Sequence, residues 1–372
     1  MVKRSIAVAS AVMLVWGVSL AGASTTQLAN GNMLTEIDAT AGGAFATQHH
    51  DFTYYSFESK DVVDLTDAEA LESTEWHIAF KRSEIRLNGG ISGPGSVRGV
   101  DMLQDHDVVG EDSFDSFGAS DLPSHDAFVS DGPAFAVNEW WSYDSSSHTI
   151  SATGNAYEVR TADGLNAKFV VDGLDDPARS DAGRVTFSWV LSEGTDLSGA
   201  VRSATIDVSG GAEVYFDLDS GEVVTPSDPA SSTDWDIHFS GYTIRLNGGI
   251  SGPGDGGAFP AYQAGTSFGD ISEAIGFGYF SDKAGSAFST EAGEWYSYDS
   301  STHILSTKNH VYVIDTGDAM IKMQMLNYYK EVAGSPVSGF VTFRWRTLEG
   351  ALPTAVESLS WGQLKTSISA SE

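Results

Sequence analysis

The sequence predicts a mostly β protein built from two tandem copies of one antiparallel, strand-rich domain with few short helices. Three observations carry this. The decapeptide RLNGGISGPG occupies residues 86–95 and recurs unchanged at residues 245–254. Apolar residues alternate with polar ones at period two, as in Trp76, Ile78, Phe80 and again in Trp235, Ile237, Phe239, the spacing of a strand with one buried and one wet face. Gly, Ser, Asn and Asp punctuate these runs, as turn residues do, and no long amphipathic helix interrupts them.

The duplication extends well beyond the decapeptide. STEWHIAFKRSEI and STDWDIHFSGYTI precede it; EWWSYDSSSHTIS and EWYSYDSSTHILS follow it; GRVTFSWVLSEG and GFVTFRWRTLEG close each copy. Collinear blocks at this spacing indicate a duplicated domain and not a solenoid, whose repeats run to about 20–50 residues. The expected division is 24–196 for the first copy and 197–350 for the second, joined near residues 193–198, with 351–372 as a tail. The segments between the decapeptide and the EW block, residues 96–138 and 255–293, differ in length and share little sequence. Such loops on a fixed framework commonly carry binding groups. The stretch MIKMQMLNYYKEV from Met320 fits a helix and a strand about equally.

Residues 1–23 read as a secretory signal peptide: Lys3 and Arg4, an apolar run, then Ala21-Gly22-Ala23. No later segment has the roughly 18 apolar residues needed to span a bilayer as a helix. The 372 residues include no cysteine, so neither disulfides nor a lipid-anchoring cysteine are available, and the core must supply stability. A secreted, cell-surface or periplasmic protein that is not a lipoprotein is the expectation. The net charge of −31, from 51 acidic and 20 basic residues, repels nucleic acid and anionic membrane. It reads as a solubilising surface, with bound calcium as the alternative. Asp217-Leu-Asp219-Ser-Gly221-Glu222 lacks the EF-hand spacing.

Within the decapeptide, Asn88-Gly89-Gly90 and Asn247-Gly248-Gly249 form a turn in which both Asn and Gly tolerate positive φ. The loop lacks the Gly-Lys-Ser/Thr ending of a phosphate-binding loop and the spacing of a nucleophile elbow. The expected role is a turn that lets another backbone come close. Arg86 and Arg245 beside it pair with carboxylates inside the fold or meet an anionic ligand.

These blocks together resemble the HmuY family of secreted bacterial haem-binding proteins. The Trp-x-Ile strand leading to Arg-Leu-Asn-Gly-Gly is similar, as are Tyr157-Glu158-Val159-Arg160-Thr161-Ala162-Asp163-Gly164 with Ala167-Lys168, Val311-Tyr312-Val313-Ile314, and the Val-Thr-Phe strands. The resemblance covers most of both copies. It implies a β fold, capture of haem outside the cell, delivery to an outer-membrane receptor, and no catalysis. The family's two iron-ligating histidines fall outside the matching motifs, so ligands here must be argued from chemistry.

Haem iron takes His, Met, Tyr or Cys. The first copy offers His106, His125, Tyr143 and His148. The second has no His or Met in its divergent segment and offers Tyr262, Tyr279, Tyr298, His303 and His310, so the first copy is the better candidate and bis-His ligation in the second needs residues from elsewhere. His148 and His303 are the only equivalent histidines; a turn role competes with ligation. Asp105, Asp107 and Asp126 favour a charged imidazolium at His106 and His125, which cannot ligate. His49-His50 lies in an N-terminal segment, and His77 and His238 fall on the wet strand face. Trp140, Trp141, Trp295 and Tyr296 either flank a macrocycle or pack the core. The competing functions are a haem-binding protein, a non-catalytic surface protein that lost ligation in one or both copies, and a secreted glycosidase.

Overall fold

The computed structural model describes residues 23–40, 52–103, 108–276, 278–285, 287–290, 293–299 and 302–350. The structure is mostly antiparallel strand, as expected, but its packing units are not the sequence repeats. A four-stranded sheet from the first copy (Thr53–Ser56, Asp61–Val63, Ile78–Lys81, Glu84–Leu87) faces a six-stranded sheet. The long strands of that second sheet, Met320–Val332 and Ser335–Thr347, come from the end of the second copy. Met33–Asp38 pairs with Ser335–Thr347 on one side, and Arg98–Asp101 pairs with Val311–Asp315 on the other. One core joins Tyr55, Phe80 and Leu87 to Ile314, Phe343 and Trp345.

The remaining halves make the reciprocal unit. Glu213–Asp217, Glu222–Val224, Ile237–Ser240 and Thr243–Leu246 face a five-stranded sheet that includes Ala156–Arg160, Asn166–Asp175 and Arg184–Ser192 from the first copy. The two cores are equivalent in detail. Phe80 stacks on Phe343 at 5.3 Å, and Phe239 stacks on Phe187 at 5.1 Å. Each half-repeat therefore packs against the complementary half of the other copy. The continuous unit, about residues 136–282, is inserted within a discontinuous one. The repeat boundary near residues 193–198 is no packing boundary, since Arg184–Ser192 and Arg202–Asp207 are neighbours in one sheet. The two chain crossings lie side by side: Gly132, Pro133 and Ala134 pair with Gly285, Ala284 and Lys283.

The decapeptide holds these crossings. Asn88 is fully buried; its amide donates to the carbonyls of Ser73 and Trp76, and its Oδ1 accepts from the Gly95 N–H. Asn247 repeats the pattern with Ser232, Trp235 and Gly254. At Gly90 (φ +63°) a Cβ would lie 1.9 Å from the Asp131 carbonyl oxygen, and at Gly249 (φ +62°) 1.9 Å from that of Asp282. Only glycine allows the approach. The expected close passage of another backbone is thus found, and the backbone is the departing chain itself. Asp131 accepts from Leu87 N and Ser92 Oγ, while Asp282 accepts from Leu246 N and Ala136 N. Burial pushes the Asp131 carboxyl up to about 7 and the Asp282 carboxyl to about 6. These aspartates were not singled out by the sequence reading. The signal was the shared Ser-Asp at 130–131 and 281–282, two letters inside otherwise dissimilar segments.

Several local expectations change. The outer face of each four-stranded sheet is covered, not wet. Trp76 packs there with Tyr54 and Ala79, beneath the short helix Asp67–Ala70. His238 holds the place of Ala79 and is 1% exposed, stacked on Tyr215 at 4.2 Å. His77 is half-buried, its Nδ1 taking the Phe57 N–H. Residues 320–332 form a strand and not a helix.

Candidate functional site

Two hairpins carry the equivalent Tyr and His candidates. In the continuous unit, Trp141–Asp144 pairs with Thr149–Ala152; in the discontinuous unit, Tyr296–Asp299 pairs with Ile304–Thr307. Trp140 and Trp295 anchor them in the two cores, so core packing is their fate; Trp141 and Tyr296 lie partly buried against the same cores. Asp144 fixes the first turn by accepting from Ser146 and Ser147, which hold its carboxyl down at about 2. His148 (φ 56°) and His303 (φ 57°) both take the left-handed conformation that closes the turn, one of the few non-glycine types enriched there. This brings His148 Nδ1 to 2.7 Å from Tyr143 Oη, and His303 Nδ1 to 2.7 Å from Tyr298 Oη. Both phenols are about half exposed, at 52% and 53%. The turn role and an exposed phenol–imidazole pair therefore coexist at each site.

The other candidates are differently placed. His125 Nε2 lies 2.6 Å from Arg98 Nη2, and Arg98 also binds Asp315 at 2.7 Å. A guanidinium only donates, so the Nε2 lone pair is already engaged. His106 and His49-His50 lie outside the described residues. His310 Nδ1 is 2.8 Å from Asp101 Oδ2. Tyr262 packs on Tyr157 at 5.3 Å, and Tyr279 carries the Arg160 guanidinium over its ring at 4.6 Å. Arg86 pairs with a carboxylate, that of Glu84, at 2.9 Å. Arg245 instead lies 5.4 Å over the Phe135 ring. Asp217 accepts from the Asp219 and Ser220 N–H groups in a turn, and among the described residues no group of three acidic or histidine side chains is placed to hold a metal ion.

The divergent segments dock on the outer faces of the larger sheets. Lys322 Nζ donates to the carbonyls of Phe114 and Phe117, and Lys168 Nζ donates to that of Ile271. Both ammonium groups also sit over aromatic rings, Phe114 and Phe268. Beside the docked helix Glu111–Ser116, a cleft of about 460 Å³ is lined by Leu28, Leu34, Gly110, Asn309, Gln324, Leu326 and Arg344. A second of about 310 Å³ runs along residues 304–307 and 326–329. Leu326 lines both. Each volume is in the range of small-molecule sites.

One family model matches the chain in two places. That model, described as HmuY protein, matches residues 48–157 and 211–293, just over half of the chain and in two segments. The chain belongs to the HmuY family. A search of curated proteins returns no match. HmuY membership brings an association with haem binding in iron acquisition and not with catalysis. Both matched HmuY segments run from the first strands of a four-stranded sheet through the divergent segment, to Tyr157 in one copy and Gly293 in the other. No helix among the described residues is long and apolar enough to cross a membrane.

Proposed function

We propose that this HmuY protein binds haem outside the cell and passes it to an outer-membrane receptor, without catalysis of its own. The observation that carries the reading is the Tyr–His pair, present twice in equivalent exposed hairpins at 2.7 Å. Tyrosinate is an established axial ligand of haem iron. Were haem bound, the phenol oxygen would be the group to hold its iron, and the imidazole hydrogen-bonded to it would be placed to take the displaced proton. Tyr143, His148, Tyr298 and His303 are the ligand residues under this reading. His125 is engaged by Arg98 and takes no part. A leader peptide removed on export and the lack of a lipidated cysteine fit a released or surface-held carrier.

The test is titration of the full-length secreted chain with haemin, followed by absorbance. A saturable Soret band is expected, together with its loss in the Y143F/Y298F double variant. Absence of saturable binding overturns the reading and favours a surface protein that kept the HmuY fold without its cargo.

A further inference from the structure

We infer that Tyr143 and Tyr298 are sites of one-electron oxidation at which chains join covalently through dityrosine bonds, with His148 and His303 as the proton acceptors. The inference goes beyond haem binding and needs no bound cargo.

All thirteen tyrosines lie among the described residues, and only Tyr143 and Tyr298 are exposed. Each of these two hydroxyls meets an imidazole nitrogen at 2.7 Å, within the roughly 2.6–3.2 Å at which a positioned base takes a proton. With the ring proton on Nε2, Nδ1 accepts from the phenol. His148 and His303 are themselves exposed, so a proton received there passes on to water. Turn closure accounts for the histidines, at φ 56° and 57°, although Asn or Gly would close the turn as well. It does not account for an exposed phenol on the preceding strand, present in both copies while the neighbouring segments differ. Other tyrosines with a nearby base are shielded. Tyr54 donates to Asp67 at 2.8 Å but is buried, and Tyr262 donates to Glu139 at 3.2 Å but is half-buried.

An oxidant that takes one electron from the phenol leaves a hydroxyl that must lose its proton. Nδ1 takes that proton as the electron departs, giving a neutral phenoxyl radical and an imidazolium, which returns the proton to water. Two phenoxyl radicals then form a carbon–carbon bond ortho to their oxygens, and each ortho hydrogen moves to oxygen to restore the ring. With a haem peroxidase carrying the electrons, two phenols and one hydrogen peroxide give one dityrosine and two waters. Among the described residues the one aromatic ring against Tyr143 is that of His148, and against Tyr298 that of His303. Each radical therefore finds its partner on another molecule. Two such sites per chain make the chain bivalent, so coupling extends past the dimer. The net charge of −31 opposes the encounter, and salt relieves that repulsion by screening.

The experiment treats the full chain, with no haemin added, with a peroxidase and hydrogen peroxide. Denaturing gels, dityrosine fluorescence and mass spectrometry of the linked peptides follow the products. Wild type should give a ladder beyond the dimer, stronger at high salt, with Tyr143 and Tyr298 in the linked peptides. Tyr143→Phe and Tyr298→Phe should each stop at the dimer, and the double variant should stay monomeric. His148→Asn/His303→Asn keeps both phenols and a residue that tolerates the left-handed turn; thermal melts check that it folds. Its phenoxyl radicals, followed by their transient absorbance, should form about a hundredfold more slowly, the lower end of what a positioned base contributes. Cross-linking that persists undiminished in the double phenylalanine variant overturns the assignment of the two tyrosines. Radical formation as fast in the folded asparagine variant as in wild type overturns the role of the imidazoles. Haemin titration is a separate measurement, so neither result decides the haem reading.

Discussion

Ser92 Oγ donates a 2.7 Å hydrogen bond to Asp131 Oδ2, fastening the glycine-rich loop to the point where the chain leaves its unit. The other oxygen of that carboxyl, Oδ1, is buried without a hydrogen-bond partner. Desolvation outweighs the Ser92 and Leu87 donors and the nearby Arg86, which is why the carboxyl sits at about 7 in place of its ordinary value of 3.8. The folded protein then binds a proton that the unfolded chain has already released, so this group's contribution to stability falls as pH rises from about 4 to about 7. Relative to Asp131→Asn, wild type should gain stability when moved from pH 7.5 to about 5, on the order of a few kcal/mol. Urea denaturation across that range checks it; parallel curves refute it.

His238 has the opposite sign. Burial, then the charge of Arg245, pushes its imidazole down to about 4 from 6.5. The unfolded chain takes up a proton that the folded state refuses, so stability falls as pH drops from about 6.5 to about 4. His238→Ala, which restores the alanine found at position 79 of the first copy, should be less acid-sensitive than wild type in the same denaturation series.

Asn88→Ala removes two donated bonds and one accepted bond from a fully buried site. Unsatisfied buried groups cost about 1–3 kcal/mol each, so a loss of at least about 3 kcal/mol is expected, with Asn247→Ala similar. Gly90→Ala should be worse, because a positive φ and a 1.9 Å clash with the Asp131 carbonyl oxygen coincide; losses above about 4 kcal/mol mark such sites. Chemical denaturation of the purified variants measures both.

The exchanged halves are open to a direct chemical test, since the chain has no cysteine. Glu36 is paired with Thr342. A Glu36→Cys/Thr342→Cys variant should oxidise to an intramolecular disulfide, as paired strand positions fall within the Cα separations a disulfide accepts. Thr186 is the Thr342 counterpart in the first copy, and Glu36→Cys/Thr186→Cys should stay reduced. The reverse outcome would mean that each repeat closes on itself.

Much of this architecture was legible in the sequence. Val341, Phe343 and Trp345 alternate into one core, as Val185, Phe187 and Trp189 do into the other. The decapeptide advertised a turn that another backbone must approach. The exchange was not legible, because Phe80–Phe343 and Phe239–Phe187 present the same local chemistry whichever repeat supplies each ring. His238 was misplaced because strand alternation says which face a residue takes and not whether other side chains cover that face; here Trp235 and Tyr215 do. The hairpin pairs were legible as recurring Tyr and His letters.

The antiparallel contact of Gly132 with Gly285 puts both ends of the continuous unit at one doorway. A chain that ran from residue 131 across a short tether to residue 287 would skip that unit without stretching its neighbour. The enclosed half of the molecule is in that sense an excisable cassette: it can be lost, replaced or grafted elsewhere while the surrounding sandwich keeps every strand it owns.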